Sequence, residues 1–538
     1  MKQNYIHGIP FIIIYTSFSF IAQADMQPIC INGLFDDWTG VKDVVQDKIG
    51  DSTGTIDFTL LSIADDEINL FIRLSAVDEF DASDDNNISI YLDTDMNAKT
   101  GIQIGGIGAE LRWELGNKTG TYVNGSDSIE VPHRDIKFRG APTVTSTQFE
   151  FAISLSSTPM GDIPLFPEDE VRIIVVDHDS NEMIPNENSA LTYTLGQGSV
   201  PPVDVLSFAK QNRSHIRMMT HNVLNDNLFD SDKKPSFIRM YLAVSPDIIH
   251  FQEINTHTVE ETEALIETEL GGEWFGEYRK DCKTISRFPI LDKWDIGNNL
   301  ATLIDTTSAI GTTMLCINAH PPCCGNDSAR QNEMDAIAAF IRDAYLPGGQ
   351  LTLDPSIPVT ISGDLNLVGT SQNLRTLLTG DIQDEDIYGP DGSPDPDGSD
   401  LANVESRLTE RRMGYTWRND TSSYWPGHLD YHIYSDSNLV QTHTFIVNTT
   451  EMSEETLLQY GLEDYDSTYS DHLVFCVDFK EPCLADTNAD GVVDITDLLS
   501  MISQWGDCDN CAGDVNDDGT VDINDLLIVI SNWGSCEQ

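Results

Sequence analysis

Between residues 205 and 480, β-branched and apolar runs repeatedly give way to a side chain able to do chemistry. In order these are THNV (Asn222), PDIIHFQE (Gln252, Glu253), INAH (Asn318, His320), VTISGDLN (Asp364, Asn366), HLDYHIYSD (Asp430) and SDH (Ser470, Asp471, His472). Helix-like stretches separate the runs, which predicts an α/β layer arrangement with the polar residues at strand ends, where open α/β sheets bind ligands. In VTISGDLN the acid and the amide stand two residues apart. On extended backbone they share one face. An Asx turn closing the strand is the plainer reading of that pair taken alone. Six strand ends delivering Asn, Glu, His, Asp-x-Asn, Asp and Asp-His to one place would make a divalent-metal phosphoester site. Hard cations take carboxylate and amide oxygens. Phosphoryl transfer needs charge neutralisation, an aligned water and a protonated leaving group.

This ordered set resembles the endonuclease/exonuclease/phosphatase superfamily, which includes deoxyribonuclease I, exonuclease III and the neutral sphingomyelinases. The resemblance spans about half of the chain and implies a four-layer α/β sandwich, two packed sheets flanked by helices. It also implies roles. Glu253 would be the main Mg²⁺ (or Mn²⁺) ligand with Asn222 beside it, and Asp471 would help hold metal. Asp364 would orient and deprotonate the attacking water, and Asn366 would hold that water or a phosphate oxygen. His472, oriented by Asp430, would carry a proton or contact the phosphate, and His320 would stabilise developing charge. Arg287 of SRFPI and Asn318 are expected substrate contacts. Leu224 stands where the abasic-site endonucleases carry a polar residue, which counts against a DNA-repair role.

The last residues repeat. CLADTNADGVVDITDLLSMISQWGDC (483–508) aligns with CAGDVNDDGTVDINDLLIVISNWGSC (511–536). Each copy opens with oxygen-bearing residues at EF-hand spacing: Asp486, Asn488, Asp490, Asp494 and Asp497, then Asp514, Asn516, Asp518, Asp522 and Asp525, with Gly491 and Gly519 at the tight turn. Apolar residues at helical spacing follow. The pair resembles a dockerin module, which implies two Ca²⁺ ions and a cohesin-like partner read through Ile495-Thr496 and Ile523-Asn524. Residues 483–538 contain no Lys or Arg, so folding should depend on Ca²⁺. One disulfide per repeat, Cys483 with Cys508 and Cys511 with Cys536, is the economical pairing among several.

Residues 25 to about 200 read as β, with short alternating or apolar runs between Asp/Asn/Gly turns. ICINGLFDDWTG and LDTDMNAKTG resemble the β-sandwich of family 9-like carbohydrate-binding modules, implying a possible glycan ligand. Trp38 and Trp113 are candidate sugar platforms, with burial as the plainer role. The acids around Asp93 and Asp95 suit either a structural calcium or an ordinary turn. The prolines of GSVPPVD (198–204) mark a linker.

The chain starts with Lys2, an apolar FIIIYTSFSFIA run and Ala22-Gln23-Ala24, the pattern of a secretory signal over residues 1–24 and too short for a membrane span. Export permits disulfides among the ten cysteines. Cys323-Cys324 follow His320, with Cys282, Cys316 and Cys476 as candidate partners. With 88 acids against 30 bases, a formal −58, the chain repels anionic polymers at long range, which opposes tight nucleic-acid binding through a basic groove. Arg287, Arg407, Arg411 and Arg412 are the local basic residues available to bind a phosphate backbone, and Trp417 and Trp425 are candidate stacking residues. PDGSPDPDGSD (390–400) reads as a solvated loop near the active face, with Asp395, Asp397 and Asp400 as a calcium alternative. The expected whole is a secreted, metal-dependent phosphoesterase. A non-catalytic extracellular scaffold, or a component of a polysaccharide-degrading assembly joined through the tail, is the competing reading.

Overall fold

The structure is a computed structural model that describes residues 26–186, 188–483, 485–488, 491–507, 511–515 and 519–536. The leader 1–24, the ligand candidates Asp490, Asn516 and Asp518, and Cys508 lie outside the described residues. Among the described residues no helix is long and apolar enough to cross a membrane.

Residues 205–480 form two six-stranded sheets. The first runs in the order Phe275–Arg279, Cys282–Ser286, Ile248–Gln252, Ile216–Asn222, Val474–Lys480, Val440–Val447. The second runs Ile290–Ile296, Asn299–Ile304, Met314–Asn318, Val359–Asp364, Asp430–Tyr434, Ala402–Asn403. Met218, Ile248, Phe475 and Val477 of the first sheet and Ile304, Met314, Cys316 and Tyr434 of the second share one apolar cluster between the sheets. On the outer face of the first sheet Phe237, Tyr241 and Ile266, from the helices Lys234–Val244 and Val259–Leu270, pack on Met219, Ile249 and Phe251. On the outer face of the second, Met334, Ile337, Ile341 and Leu377, from Asp327–Ala344 and Gln372–Thr379, pack on Leu315, Ile317 and Ile361. The order is helix, sheet, sheet, helix. Strands buried on both faces read as continuous apolar runs, as the sequence of this region does.

Each sheet has one parallel pair at its centre. Ile216–Asn222 pairs with Ile248–Gln252, matching Asn222 to Gln252, and Met314–Asn318 pairs with Val359–Asp364, matching Asn318 to Ser362. Parallel strands need a crossover, and the helices between them supply it. Their C-terminal ends lie at one edge of the sandwich. The antiparallel neighbours bring their starts to the same edge: Asp430 stands opposite Asp364, and His472 lies just before Val474. Gly363 (φ +151°) makes this approach possible, since a Cβ there would sit 2.0 Å from the Ala319 carbonyl oxygen.

Residues 26–200 form two antiparallel sheets around a second core. One has the order Val44–Gln46, Phe58–Asp65, Asn69–Phe80, Ser146–Ser154, Arg139–Ala141, and the other has seven strands centred on Ile88–Asp93 and Glu170–Asp177. Phe58, Ile72 and Phe151 of the first meet Ile90, Trp113 and Ile173 of the second. These sheets do not hang free. Ile29, Ile31, Trp38, Phe71 and Ala152 join the same cluster as Met218 and Phe475, and Thr143 Oγ1 donates to the Leu367 carbonyl at 2.8 Å. Trp38 and Trp113 are both buried, Trp38 donating to Glu150 and Trp113 stacked on Phe138. Neither offers an open ring to a sugar.

In the tail, the loop-helix copies lie antiparallel. Val492–Val493 pairs with Gly534–Ser535 and Gly506–Asp507 with Thr520–Val521. Helices Ile495–Ser503 and Ile523–Ser531 start with the same capping box, Asp494 with Asp497 and Asp522 with Asp525. This pairing corrects the expected disulfides. Cys483 bonds to Cys536, with a Cα–Cα distance of 5.7 Å across 53 residues, because the antiparallel arrangement brings the two ends of the module together. Asp486 and Asp514 accept the turn amides of Gly491 and Gly519, Asn488 donates to Thr496, and Asp497 and Asp525 are buried.

Candidate active site

The converging strand ends place their polar side chains in one hydrogen-bonded set. Asn222 Nδ2 lies 3.0 Å from both Glu253 Oε1 and Asp364 Oδ2. Asp364 Oδ2 is also 3.4 Å from His320 Nε2 and 3.4 Å from His472 Nε2. Two imidazoles and an amide therefore surround one buried carboxylate oxygen.

Each histidine has its own orienting acid. His472 Nδ1 is 2.8 Å from Asp430 Oδ2, and His320 Nδ1 is 2.6 Å from Asp281 Oδ2. Asp281 was not singled out by the sequence reading. It sits in the tight connection between the strands Phe275–Arg279 and Cys282–Ser286, where an acid looks like any turn residue. The charges follow from these contacts. Burial alone would raise the Asp364 carboxyl, but His472 and His320 outweigh it and hold the group at about 2. Burial alone would lower His472, but Asp430 and Asp364 hold it up at about 10. For Asp430 burial wins and the carboxyl rises to about 6, against the pull of His472. His320 is held well above the usual imidazole range by Asp281 and Asp364, against burial. The Asp364 carboxylate thus lies between two imidazole rings, each backed by a second acid.

Glu253 sits just past its strand with φ +62°, a backbone region that costs a non-glycine residue about 1 kcal/mol or more. That turn folds the carboxylate back toward Asn222, and Oε2 accepts the Asn225 amide at 2.8 Å. Asn366 (φ +49°) donates its amide N–H to Asp364 Oδ1 and its Nδ2 to the Pro321 carbonyl.

Above these residues lies a cleft of about 930 Å³ whose lining includes Glu253, His320, Asp364, Asn366, Asp471 and His472. Trp417, Trp425 and Leu224 also line it. Part of its wall comes from the N-terminal sheets: Asp81 to Asp85, Pro142 and Thr143. Tyr424 Oη donates to Asp84 at 2.7 Å, and Lys118 Nζ reaches the same carboxylate at 2.8 Å.

Two expected substrate contacts are elsewhere. Arg287 follows Ser286, which pairs with Ile248 at the far end of the sheet from Gln252. Its guanidinium lies 4.2 Å over Trp274 and donates to the Gly271 carbonyl. Asn318 is fully buried between the sheets, bonded to Phe251, Lys283 and Gln252, so its role is to join the layers. Arg407 and Arg412 bond to the carbonyls of Asp204 and Pro201 in the linker, and Arg411 pairs with Glu451. Among the described residues lining the cleft, Lys280 is an exposed cation. The loop 390–400 also lies away from the site: Asp395 bonds to Ser437, beyond the far end of the strand that starts at Asp430.

Oxygen donors in this set suit a hard divalent cation. Asp364, Asp430 and His472 lie close enough together to suggest a metal group. In this arrangement both His472 nitrogens face carboxylates, Nδ1 toward Asp430 and Nε2 toward Asp364. Glu253 fits better. Its Oε1 meets the Asn222 amide at 3.0 Å, and Asn222 Oδ1 accepts the Leu224 amide at 3.0 Å.

No protein-family model matches the chain, and no curated protein does. Solved structures match about half of the chain. D. rerio TDP2 complexed with single-strand DNA product is 17% identical over 49% of this chain and 99% of that one, with a TM-score of 0.34. ANGEL2, a 2′,3′-cyclic phosphatase, is 16% identical over 52% and 98%, with a TM-score of 0.35. An endonuclease/exonuclease/phosphatase family protein from Leptotrichia buccalis is 14% identical over 49% and 99%, with a TM-score of 0.32.

Proposed function

We propose that the chain is a secreted, metal-dependent phosphoesterase acting on a small or single-stranded phosphoester. One observation carries the reading: the Asp364 carboxylate is met by Asn222, His320 and His472, with Glu253 in the same hydrogen-bonded set, from strand ends up to 250 residues apart. Glu253 and Asn222, with Asp471 at the cleft wall, would hold a Mg²⁺ or Mn²⁺ ion. When bound, that ion would neutralise phosphate charge and polarise the phosphorus centre. Asp364 orients a water for in-line attack. A carboxyl held near 2 is a weak base at rest, so positioning is its first contribution. His472, protonated and aligned by Asp430, contacts the phosphate or supplies a proton to the leaving oxygen, and His320 offers a second positive charge.

The substrate class follows from the wall. Asp81, Asp84 and Asp85 beside the cleft oppose a long polyanion, and Lys280 is one local cation against them. Trp417, half-buried at the cleft wall, provides aromatic surface for a leaving group, whereas Trp425 is packed on Phe138 in the core. The tail suits attachment to a cohesin-like partner. Ile495, Leu499, Ile502 and Trp505, and their repeat equivalents Ile523, Leu527, Ile530 and Trp533, are each about half exposed, so one apolar face is presented twice. Ca²⁺ in the two loops, the signal over 1–24 and any glycan bound by the N-terminal sheets belong to the same proposal.

Hydrolysis of bis-p-nitrophenyl phosphate in Mg²⁺ by wild type and by Asp364→Asn tests it. Loss of about a hundredfold or more in kcat is expected. Equal rates would remove Asp364 from the mechanism.

A further inference from the structure

We infer that the N-terminal sheets hold a divalent cation, calcium by its donor chemistry, between Asp93, Asp95 and Glu110. This site is separate from the cleft and independent of the hydrolytic reading. Asp93 ends the strand Ile88–Asp93, Asp95 follows in the loop to the hairpin Ile102–Ile104 and Ile107–Ala109, and Glu110 comes directly after that hairpin. One carboxylate oxygen from each of the three lies within 4.8 Å of the others. Ligand oxygens about 2.4 Å from a shared Ca²⁺ are at most about 5 Å apart, so the spacing suits one ion.

The second observation is unmet oxygen. Asp93 is 0% exposed and Glu110 6%, yet Asp93 Oδ1 and Glu110 Oε1 have no hydrogen-bond partner, and neither has the buried Thr94 Oγ1 beside them. Native structures rarely leave such atoms unsatisfied. The other oxygens are in use. Glu110 Oε2 accepts the amides of Thr94 and Asp95, and Asp93 Oδ2 meets Arg172 at 2.5 Å. Glu110 Oε1 faces the loop, since a Cβ on Gly101 would lie 2.9 Å from it. Three carboxylates and one guanidinium leave a charge of −2, which a divalent cation cancels. A cation offsets the cost of burying these charges.

Equilibrium dialysis of the full-length chain against ⁴⁵Ca²⁺, after removal of bound metal, tests the site. Glu110→Gln is expected to bind one Ca²⁺ fewer per chain than wild type, with its other sites unchanged. Should Glu110→Gln lose its far-ultraviolet circular dichroism, Asp95→Asn decides, because its side chain is only half-buried. It is expected to weaken one Ca²⁺ by tenfold or more. Unchanged stoichiometry and affinity in the folded variants would overturn the assignment, and the orphaned oxygens would then be satisfied by protons.

Discussion

At the scale of single residues, the site depends on two acid–histidine pairs that answer to one carboxylate. Asp364, Asp430 and His472 are legible in the sequence because each borders a strand-like run, so their side chains are aimed by regular backbone. Asp281 is not legible, since a turn between two strands gives no sign of which way its carboxylate points. Asn318 looks like the other strand-end residues, and the strand does end there. Its side chain faces the opposite sheet, a fact set by layer packing rather than by spacing. Asp281 gives a prediction. Asp281→Asn removes one of the two carboxylate charges that hold the His320 pKa up, while its carbonyl oxygen still accepts a hydrogen bond. The expected effect is a fall in kcat of about tenfold or more with KM little changed, read in steady-state kinetics on the same substrate. An unchanged kcat would reduce Asp281 to a turn residue.

At the scale of elements, the sequence periodicity conveys which runs are strands, and the parallel pairs with their helical crossovers follow from connection length. The polar bonds between layers do not follow. His250 Nδ1 meets Ser362 Oγ at 2.6 Å, and Gln252 donates to Asn318 at 2.8 Å. Both ties span the sheets just behind the edge that carries the site, where they fix the separation of Glu253 and Asp364. At the other end of the first sheet Arg217 makes a bidentate pair with Asp478, Nε and Nη2 each 2.6 Å from a carboxylate oxygen, and also donates to the carbonyl of Val244. Both side chains are about 1% exposed. Removing one partner of such a pair leaves a buried charge, so Arg217→Met is expected to destabilise the fold by roughly 3–5 kcal/mol, measured by urea unfolding. A change under about 1 kcal/mol would mean that the pair is not a structural anchor.

At the scale of the molecule, the N-terminal sheets are part of the cleft rather than an attached module. A linker is readable at residues 198–204, but the contacts that cross it are not, because pairing between distant loops leaves no local pattern. The bond from Tyr424 to Asp84 joins residues 340 positions apart. If the acidic wall sets the choice of substrate, Asp84→Lys should raise kcat/KM on single-stranded DNA relative to bis-p-nitrophenyl phosphate by about tenfold at low ionic strength, and the gain should shrink as salt rises. A ratio that does not move would take the wall out of substrate selection.

The convergence of strand ends on a cation-dependent site is tested most directly by titrating Mg²⁺ into metal-free enzyme while following phosphodiester hydrolysis, for wild type and Glu253→Gln side by side. The account predicts no turnover in EDTA, recovery on adding Mg²⁺, and a variant that needs at least about tenfold more Mg²⁺ for half-maximal rate. Full activity in EDTA, or identical Mg²⁺ curves for the two proteins, would contradict it.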